Sequence, residues 1–127
     1  MGEISLTERE LDVISVLWRE GSGTVEEVRA RLHDDVGYTS VLKILQILEE
    51  KGHVRHEQEG RAYRYFPTLQ AEEAGSSALR RVVDRIFHGS AELTLARLVA
   101  DRPISREERE RMQRILAALA AADEEGA

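Results

Sequence analysis

Residues 38–66, YTSVLKILQILEEKGHVRHEQEGRAYRYF, contain two sequence patterns of different period. In residues 38–51, apolar side chains recur at i, i+3, i+4 and i+7, which predicts a helix with one buried face. The residues on that face are Val41, Ile44, Leu45 and Leu48. Residues 53–66 predict two short strands around a tight Glu59-Gly60 turn. The stretch therefore predicts a helix followed closely by a β-hairpin.

The opposite side of the predicted helix is polar and partly cationic. At about 100° per residue, that side carries Thr39, Lys43, Gln46 and Glu50. A helix with these two faces and a hairpin next to it suits DNA, with the helix in the major groove and the hairpin beside the backbone. We therefore predict a set of DNA-binding residues, which are Tyr38, Thr39, Ser40, Lys43, Gln46, Arg61 and Arg64.

Lys43 is the strongest candidate in this set. An outward-facing lysine is often only solvated, but the side chains around Lys43 can hydrogen-bond base edges or phosphates. Those neighbours are Thr39, Ser40 and Gln46. Tyr38, at the start of the helix, can bind a phosphate through its hydroxyl or simply pack.

The arginines of the hairpin have competing interpretations. Arg61 follows the turn and can enter a minor groove or contact a phosphate. Arg55 and Arg64 can instead form ion pairs with Glu57 and Glu59 across the hairpin.

Two capping-box pairs predict earlier helices in the chain. Thr7 with Glu10 marks a helix over residues 6–20, and Thr24 with Glu27 marks a second helix. Three short helices followed by a β-hairpin predict a winged helix-turn-helix domain over residues 1–69. The predicted fold class is mainly α with a small β-hairpin.

Residues 70–127 predict a helical dimerisation region. Three amphipathic helices here have little to pack against, since helices in water depend on burying an apolar face. They can wrap back onto the first domain or pack on a second copy, and we expect a two-fold homodimer. The predicted dimerisation residues are Leu79, Val82, Val83, Ile86, Phe87, Leu95, Leu98, Met112, Ile115, Leu116 and Leu119. Residues 123–127 predict a frayed tail.

The sequence predicts neither catalysis nor a cofactor. It lacks GxSxG, HExxH and paired-carboxylate patterns, and Gly21-Ser22-Gly23 predicts a plain turn because no phosphate-binding glycine motif is present. The histidines are scattered along the chain and suggest no metal site; they are His33, His53, His56 and His88. Ser90 predicts a helix cap.

Composition predicts a cytoplasmic protein. The chain of 127 residues contains no cysteine, so disulfides and thiolate metal sites are excluded. Its longest apolar run, residues 115–122, is too short to span a bilayer, and its N-terminus does not resemble a signal peptide. We therefore expect no membrane insertion.

The net charge of −6 opposes the DNA-binding prediction, because phosphate contacts supply much of the affinity for nucleic acid. Up to Leu69 the chain has nine Lys/Arg and thirteen Asp/Glu residues. A local basic face on an acidic body would resolve this, with modest affinity for each subunit. A winged-helix module for protein assembly that does not bind DNA is the alternative. A repressor gated by a small ligand would need an apolar pocket between the wing and residues 70–87.

Three runs together resemble the penicillinase-repressor family, the BlaI/MecI/CopY-type bacterial transcriptional repressors. They are LTERELDVISVLWREGSGTVEEV, YTSVLKILQILEEKG and EGRAYRY. Later runs, IFHGSAELTLARLV and ISREERERMQRIL, resemble the C-terminal dimerisation region of that family. The resemblance implies a winged-helix repressor that binds a palindromic operator as a dimer, with the helix of residues 38–51 in successive major grooves.

The resemblance also bears on how repression is lifted. In β-lactam-responsive members, a membrane sensor-protease cleaves within the dimerisation helices, and such a partner is implied here. The matching position is Arg97-Leu98, where those members are expected to carry Asn-Phe. The copper-responsive branch uses a cysteine-rich motif, which this chain lacks. The sequence leaves open the operator, the regulated genes, the inducing signal, any role of a small ligand and, because Arg97-Leu98 replaces the expected Asn-Phe, whether induction is by proteolysis.

Overall fold

The computed structural model describes residues 4–126, which form six helices and three strands. In chain order these are α1 (Glu8–Glu20), β1 (Gly23–Thr24), α2 (Val25–Arg31), α3 (Tyr38–Glu50), β2 (Val54–Glu59), β3 (Ala62–Pro67), α4 (Ala71–Ile86), α5 (Ala91–Asp101) and α6 (Arg106–Gly126). The first six elements have the order of a winged helix-turn-helix, with β2 and β3 as the wing.

Both predicted capping boxes are present. The Glu10 N–H donates to Thr7 Oγ1 at 3.1 Å, and the Thr7 N–H donates to Glu10 Oε1 at 3.0 Å. Thr24 and Glu27 make the same reciprocal pair at 3.2 and 3.4 Å. Because Thr7 is the N-cap, α1 begins one residue after it and not at the predicted start of residues 6–20.

The sheet is antiparallel with strand order β1-β3-β2, so it has one strand more than predicted. Gly23 pairs with Tyr65 and Thr24 pairs with Arg64. The prediction of a plain turn at Gly21-Ser22-Gly23 is therefore wrong at Gly23. A two-residue strand carries no periodicity that a sequence pattern can reveal. At Gly23 a Cβ atom would lie 3.1 Å from Cγ2 of Val28, so a larger residue there would have to displace the Val28 side chain by a few tenths of an ångström.

The core of the first domain lies between the three helices and the sheet. Its largest fully buried side chains are Val13, Ile14, Val16, Leu17, Val28, Val41, Leu45 and Leu48. Each contributes roughly 1.5–3 kcal/mol by leaving water. Ile44, predicted on the same face of α3, is partly buried against this cluster. Trp18 closes one end, since its indole N–H donates to the Leu69 carbonyl at 2.8 Å.

The chain divides into two compact units, Met1–Arg81 and Val82–Ala127. The first unit includes much of α4, where Ala74 is buried. The division therefore lies within α4, whereas the sequence predicts a boundary between residues 69 and 70.

In the second unit, α5 begins at the predicted cap, because the Leu93 N–H donates to Ser90 Oγ at 3.0 Å. Helix α6 continues to Gly126, so the predicted fraying is wrong for residues 123–126, and Ala127 lies outside the described residues. Its run of alanines and glutamates has a high helix propensity, which outweighs the expected fraying. Within residues 4–126, every helix is too short or too polar to cross a membrane.

A partly buried ion pair joins α1 to the end of α3. Glu10 is 5% exposed, and Lys51 Nζ donates to Glu10 Oε1 at 2.7 Å and to the Ser5 carbonyl at 3.2 Å. Burial acts to raise the pKa of Glu10. The hydrogen bonds from Lys51 and Thr7, with the charge of Lys51, outweigh burial and hold that pKa below its ordinary value.

We expect Lys51→Met to lower the free energy of unfolding by about 1–3 kcal/mol at pH 7, because it leaves the Glu10 carboxylate buried without its cation. The depressed pKa of Glu10 means that the pair stabilises the fold above pH 4.5, its ordinary value, and loses this effect as the pH falls through the lower folded-state pKa. The gap between the parent and Lys51→Met should therefore narrow in acid. Urea unfolding from pH 7 to pH 3 measures it, with Lys43→Met as the matched exposed control. A gap that does not depend on pH would exclude this role for Glu10.

Candidate nucleic-acid interface

One side of α3 is left open by the packing of the first domain. Val41, Leu45 and Leu48 hold the helix against the core. The predicted DNA-binding residues of this helix are exposed on the remaining surface; they are Tyr38, Thr39, Ser40, Lys43 and Gln46. Tyr38 is 51% exposed, so its side chain is not held mainly by packing against the protein.

The start of α3 differs from the starts of α1 and α2. Its N-cap is Gly37, which offers no side chain, and its first turn contains no acidic residue. The first turns of α1 and α2 both contain glutamates that complete capping boxes. The positive end of the α3 dipole is therefore not neutralised by a carboxylate of its own first turn.

Ion pairs account for most cations of the first domain. Six of the nine Lys/Arg residues up to Leu69 pair with carboxylates. The pairs are Arg9–Asp34, Arg29–Glu26, Arg31–Glu20, Lys51–Glu10, Arg55–Glu57 and Arg64–Glu27. Among residues 4–69, the cations that lack a carboxylate partner are Arg19, Lys43 and Arg61. Two of these three belong to the predicted DNA-binding set.

The turn of the wing presents Arg61 to solvent. Gly60 has φ 61°, the left-handed conformation that glycine tolerates, and Arg61 follows it as an exposed residue. Register pairs Glu59 with Ala62, so the turn itself contains Gly60 and Arg61. The predicted hairpin is thus present, but its turn is Gly60-Arg61 and not the predicted Glu59-Gly60, because Glu59 still pairs with Ala62 in the ladder.

Arg64 lies in a different environment from Arg61. Its side chain is only 23% exposed and faces the start of α2. The hydrogen bonds from Arg64 hold the pKa of Glu27 and the pKa of Glu59 below the ordinary values. Of the two open interpretations of this residue, the ion pair with Glu59 is formed at 2.9 Å, and a second pair with Glu27 was not predicted.

The wing also contacts α3. His56 Nδ1 lies 2.6 Å from Glu49 Oε1 and 2.8 Å from Oε2, and the His56 ring meets the Tyr63 ring edge-on at 4.7 Å between centroids. Tyr65, the cross-strand neighbour of His56, is buried, and this burial raises its pKa. Sequence reasoning missed the His56–Glu49 pair, because the two residues lie in different elements and only the fold brings them together.

The helices α4 to α6 leave apolar side chains in solvent. Eight predicted dimerisation residues are exposed, namely Leu79, Val82, Ile86, Leu95, Leu98, Ile115, Leu116 and Leu119. The other three, Val83, Phe87 and Met112, are partly buried. No described residue of α5 or α6 is fully buried.

Within residues 4–126, the structure bears on a metal site and on a ligand pocket between the wing and α4. The residues described by the structure contain no group of His, Asp and Glu able to hold a metal ion. A cavity of about 460 Å³ lies between the wing and the start of α4, and its lining includes the charged Arg55 and Glu72. Such a lining does not provide the apolar pocket that small-ligand gating would require.

Comparison with known proteins identifies a matching family and several solved structures of similar fold. The sequence profile of the penicillinase repressor family matches residues 6–118. No curated protein sequence matches the chain significantly. The solution structure of the DNA-binding domain of the repressor BlaI is 26% identical, with a TM-score of 0.51, and the match covers 57% of this chain and 90% of that chain.

Two further solved structures resemble most of the chain. YusO from Bacillus subtilis is 22% identical with a TM-score of 0.52, covering 92% of this chain and 76% of its own. RosR from H. salinarum is 24% identical with a TM-score of 0.51, covering 95% and 99%. At these identities the two structures support the fold alone. The predicted fold class, a winged helix-turn-helix followed by further helices, is confirmed.

Proposed function

Because this chain belongs to the penicillinase repressor family, we propose that it represses transcription by occluding a double-stranded DNA operator as a homodimer. Family membership makes it a winged-helix transcriptional regulator. In the proposal, α3 lies in the major groove and the wing lies on the backbone or in the minor groove.

The distribution of unpaired cations carries the proposal. Lys43 on α3 and Arg61 on the wing have no carboxylate partner among the described residues, so their charges remain available to phosphates and bases. Most other cations of the domain are neutralised within it. The acidic net charge, which favours a protein-assembly module, is therefore compatible with a local basic face. The carboxylate-free start of α3 favours an approaching phosphate in the same way.

Within α3, we propose that residues near the N-terminus position the helix and that residues farther along read the bases. Tyr38, Thr39 and Ser40 are exposed in the first turn of α3, where their hydroxyl groups can hold phosphates. Lys43 and Gln46 are exposed one turn later, and both side chains can bond base edges in the major groove.

We propose that the dimer forms through the exposed apolar residues of α4 to α6. Large side chains such as Ile86, Ile115 and Leu119 are 64%, 69% and 60% exposed in the single chain. A second copy would remove this surface from water, and a two-fold pairing buries the same patch on both subunits. Two copies of α3 would then lie about 34 Å apart, or a multiple of that distance, along one face of the DNA.

Cleavage between Arg97 and Leu98 would separate α6 from the DNA-binding unit and so weaken the dimer. The bond lies inside α5, where Arg97 also pairs with Asp101 at 3.8 Å. A sensor-protease would have to unwind this helix locally before cutting it. We therefore propose proteolysis as a route of relief that requires local opening of α5.

Selection of bound fragments from the host's genomic DNA tests the proposed function. We expect an enriched palindromic sequence whose half-sites follow the spacing of the two α3 helices. The neighbouring genes would identify the regulated promoter. Failure to enrich any sequence at low ionic strength would contradict the proposal.

Substitution of Lys43 and Arg61 should separate base reading from phosphate anchoring. We expect Lys43→Ala to weaken operator binding and to change which base is preferred opposite α3. The difference in binding free energy between the preferred base and its competitors should change by about 1–3 kcal/mol. Arg61→Ala should weaken binding to all sequences alike. It should also reduce the slope of log K against log salt by about 1.8 for the dimer, which is about 0.9 per lost phosphate contact.

Arg31→Ala is the control, because it removes the same charge from a residue that is already paired with Glu20 at 3.1 Å. Fluorescence anisotropy over a salt titration measures all three variants on the selected operator and on a single-base variant of it. Parental affinity and slope in both Lys43→Ala and Arg61→Ala would show that the assigned contacts are wrong.

A further inference from the structure

The guanidinium of Arg64 is saturated by protein acceptors. Its Nε and Nη2 atoms donate to the two oxygens of Glu59 at 2.9 and 3.0 Å. Its Nη1 and Nη2 atoms donate to the two oxygens of Glu27 at 3.0 and 2.9 Å, and Nη1 also donates to Ser22 Oγ at 3.2 Å. An arginine has five N–H donors, so none is left for a phosphate.

The charges around Arg64 also oppose a contact with DNA. One guanidinium faces two carboxylates, so the group as a whole is anionic. A phosphate approaching it would meet net repulsion at close range. Arg61, three residues earlier on the wing, has no such partners among residues 4–126.

The same contacts join separate elements of the domain. Arg64 lies in β3, Glu59 ends β2, Glu27 lies in α2 and Ser22 precedes β1. The backbone pair of Arg64 with Thr24 is the last link between β1 and β3. Beyond that pair, the wing extends as the two-stranded β2–β3 hairpin, and an isolated hairpin is only marginally stable.

We infer that Arg64 is a positioning residue, which fixes the wing against α2 and leaves DNA contact to Arg61. This inference rests on the proposed function, because it assigns the parts of the same interface. It departs from the expectation that Arg64 itself binds DNA. Two bidentate pairs fix the orientation of the guanidinium as well as its position, which a lysine ammonium cannot do.

The decisive variant removes a negative charge from the protein. We expect Glu27→Gln to weaken operator binding about tenfold, because the wing loses one of its two charge-assisted pairs. A glutamine still completes the capping box of α2, so the helix start is preserved. Glu26→Gln is the matched control: it makes the same charge change at the neighbouring residue, which pairs with Arg29 and not with the wing. This control should bind as tightly as the parent.

Arg64→Lys separates positioning from phosphate contact. A lysine would replace a phosphate contact well, but it cannot bridge two carboxylates in the geometry of a guanidinium fork. We expect Arg64→Lys to lose about tenfold in affinity with an unchanged salt slope. Thermal unfolding measurements would check that each variant is folded at the assay temperature. Parental affinity in either Glu27→Gln or Arg64→Lys would overturn the inference, because a lysine that kept a phosphate contact would bind like the arginine.

Hydrogen exchange in the free protein tests the positioning role without DNA. We expect faster exchange of the β3 amides in Glu27→Gln than in the parent or in Glu26→Gln. If the parent bound no duplex, the proposed function would fail, and the exchange rates would still decide whether Arg64 and Glu27 fix the wing. Unchanged β3 exchange in Glu27→Gln would overturn the inference on its own.

Discussion

Leu119→Glu is expected to convert the protein to a monomer and to lower operator affinity by about a hundredfold or more. Leu119 lies on α6 and is 60% exposed in the single chain. In the proposed dimer its side chain would leave water, so a glutamate there would place one charge from each subunit in an apolar interface. The affinity falls because a dimer delivers its second α3 at a high effective concentration, and a monomer does not.

Ala117→Glu is the matched control for this prediction. It adds the same charge to the same helix, but at about 100° per residue it lies roughly opposite Leu119 and Ile115. Sedimentation equilibrium at micromolar concentration measures the state of assembly, and operator titration measures the affinity. A dimeric Leu119→Glu protein with parental affinity would show that α6 does not form the interface.

Leu45→Ala should strongly lower the stability of the first domain. Leu45 is fully buried on α3 among the helices and the sheet. Removing its isobutyl group loses burial and leaves a cavity, which costs about 2–5 kcal/mol. For a unit of this size the midpoint of thermal unfolding should fall by about 10 °C or more.

Gln46→Ala is the neighbouring control, because Gln46 is exposed on the other side of α3. We expect it to leave the unfolding midpoint close to that of the parent and to change operator preference. Circular dichroism melts should therefore show a lowered unfolding midpoint in Leu45→Ala but not in Gln46→Ala. Binding titrations should show a changed operator preference in Gln46→Ala. A large loss of stability in Gln46→Ala, or little loss in Leu45→Ala, would contradict the orientation of the helix.

The sequence predicts the elements that local physics determines. Capping residues indicate where α1 and α2 begin. The spacing of apolar residues identifies the buried face of α3, and the glycine turn identifies the wing. In the same way, Ser90 predicts the start of α5. Each of these signals lies within a few residues of the feature that it predicts.

The features that the sequence did not predict depend on distant partners or on context. Strand β1 exists because it pairs with β3, and two residues contain no pattern of their own. The Glu27 partner of Arg64 lies on α2, and only the fold brings these two residues together. For the same reason, the local charge balance of the wing could not distinguish a DNA contact at Arg61 from an internal pair at Arg64.

The neutralised arginines of the first domain have a consequence for how such a protein would search a genome. Attraction to random sequence is almost entirely ionic, and each unpaired cation adds to it. A repressor with few unpaired cations would dwell only briefly on the vast excess of irrelevant sites. Fewer copies would then be sequestered away from the promoter, so a small number of molecules per cell would suffice to keep it silent.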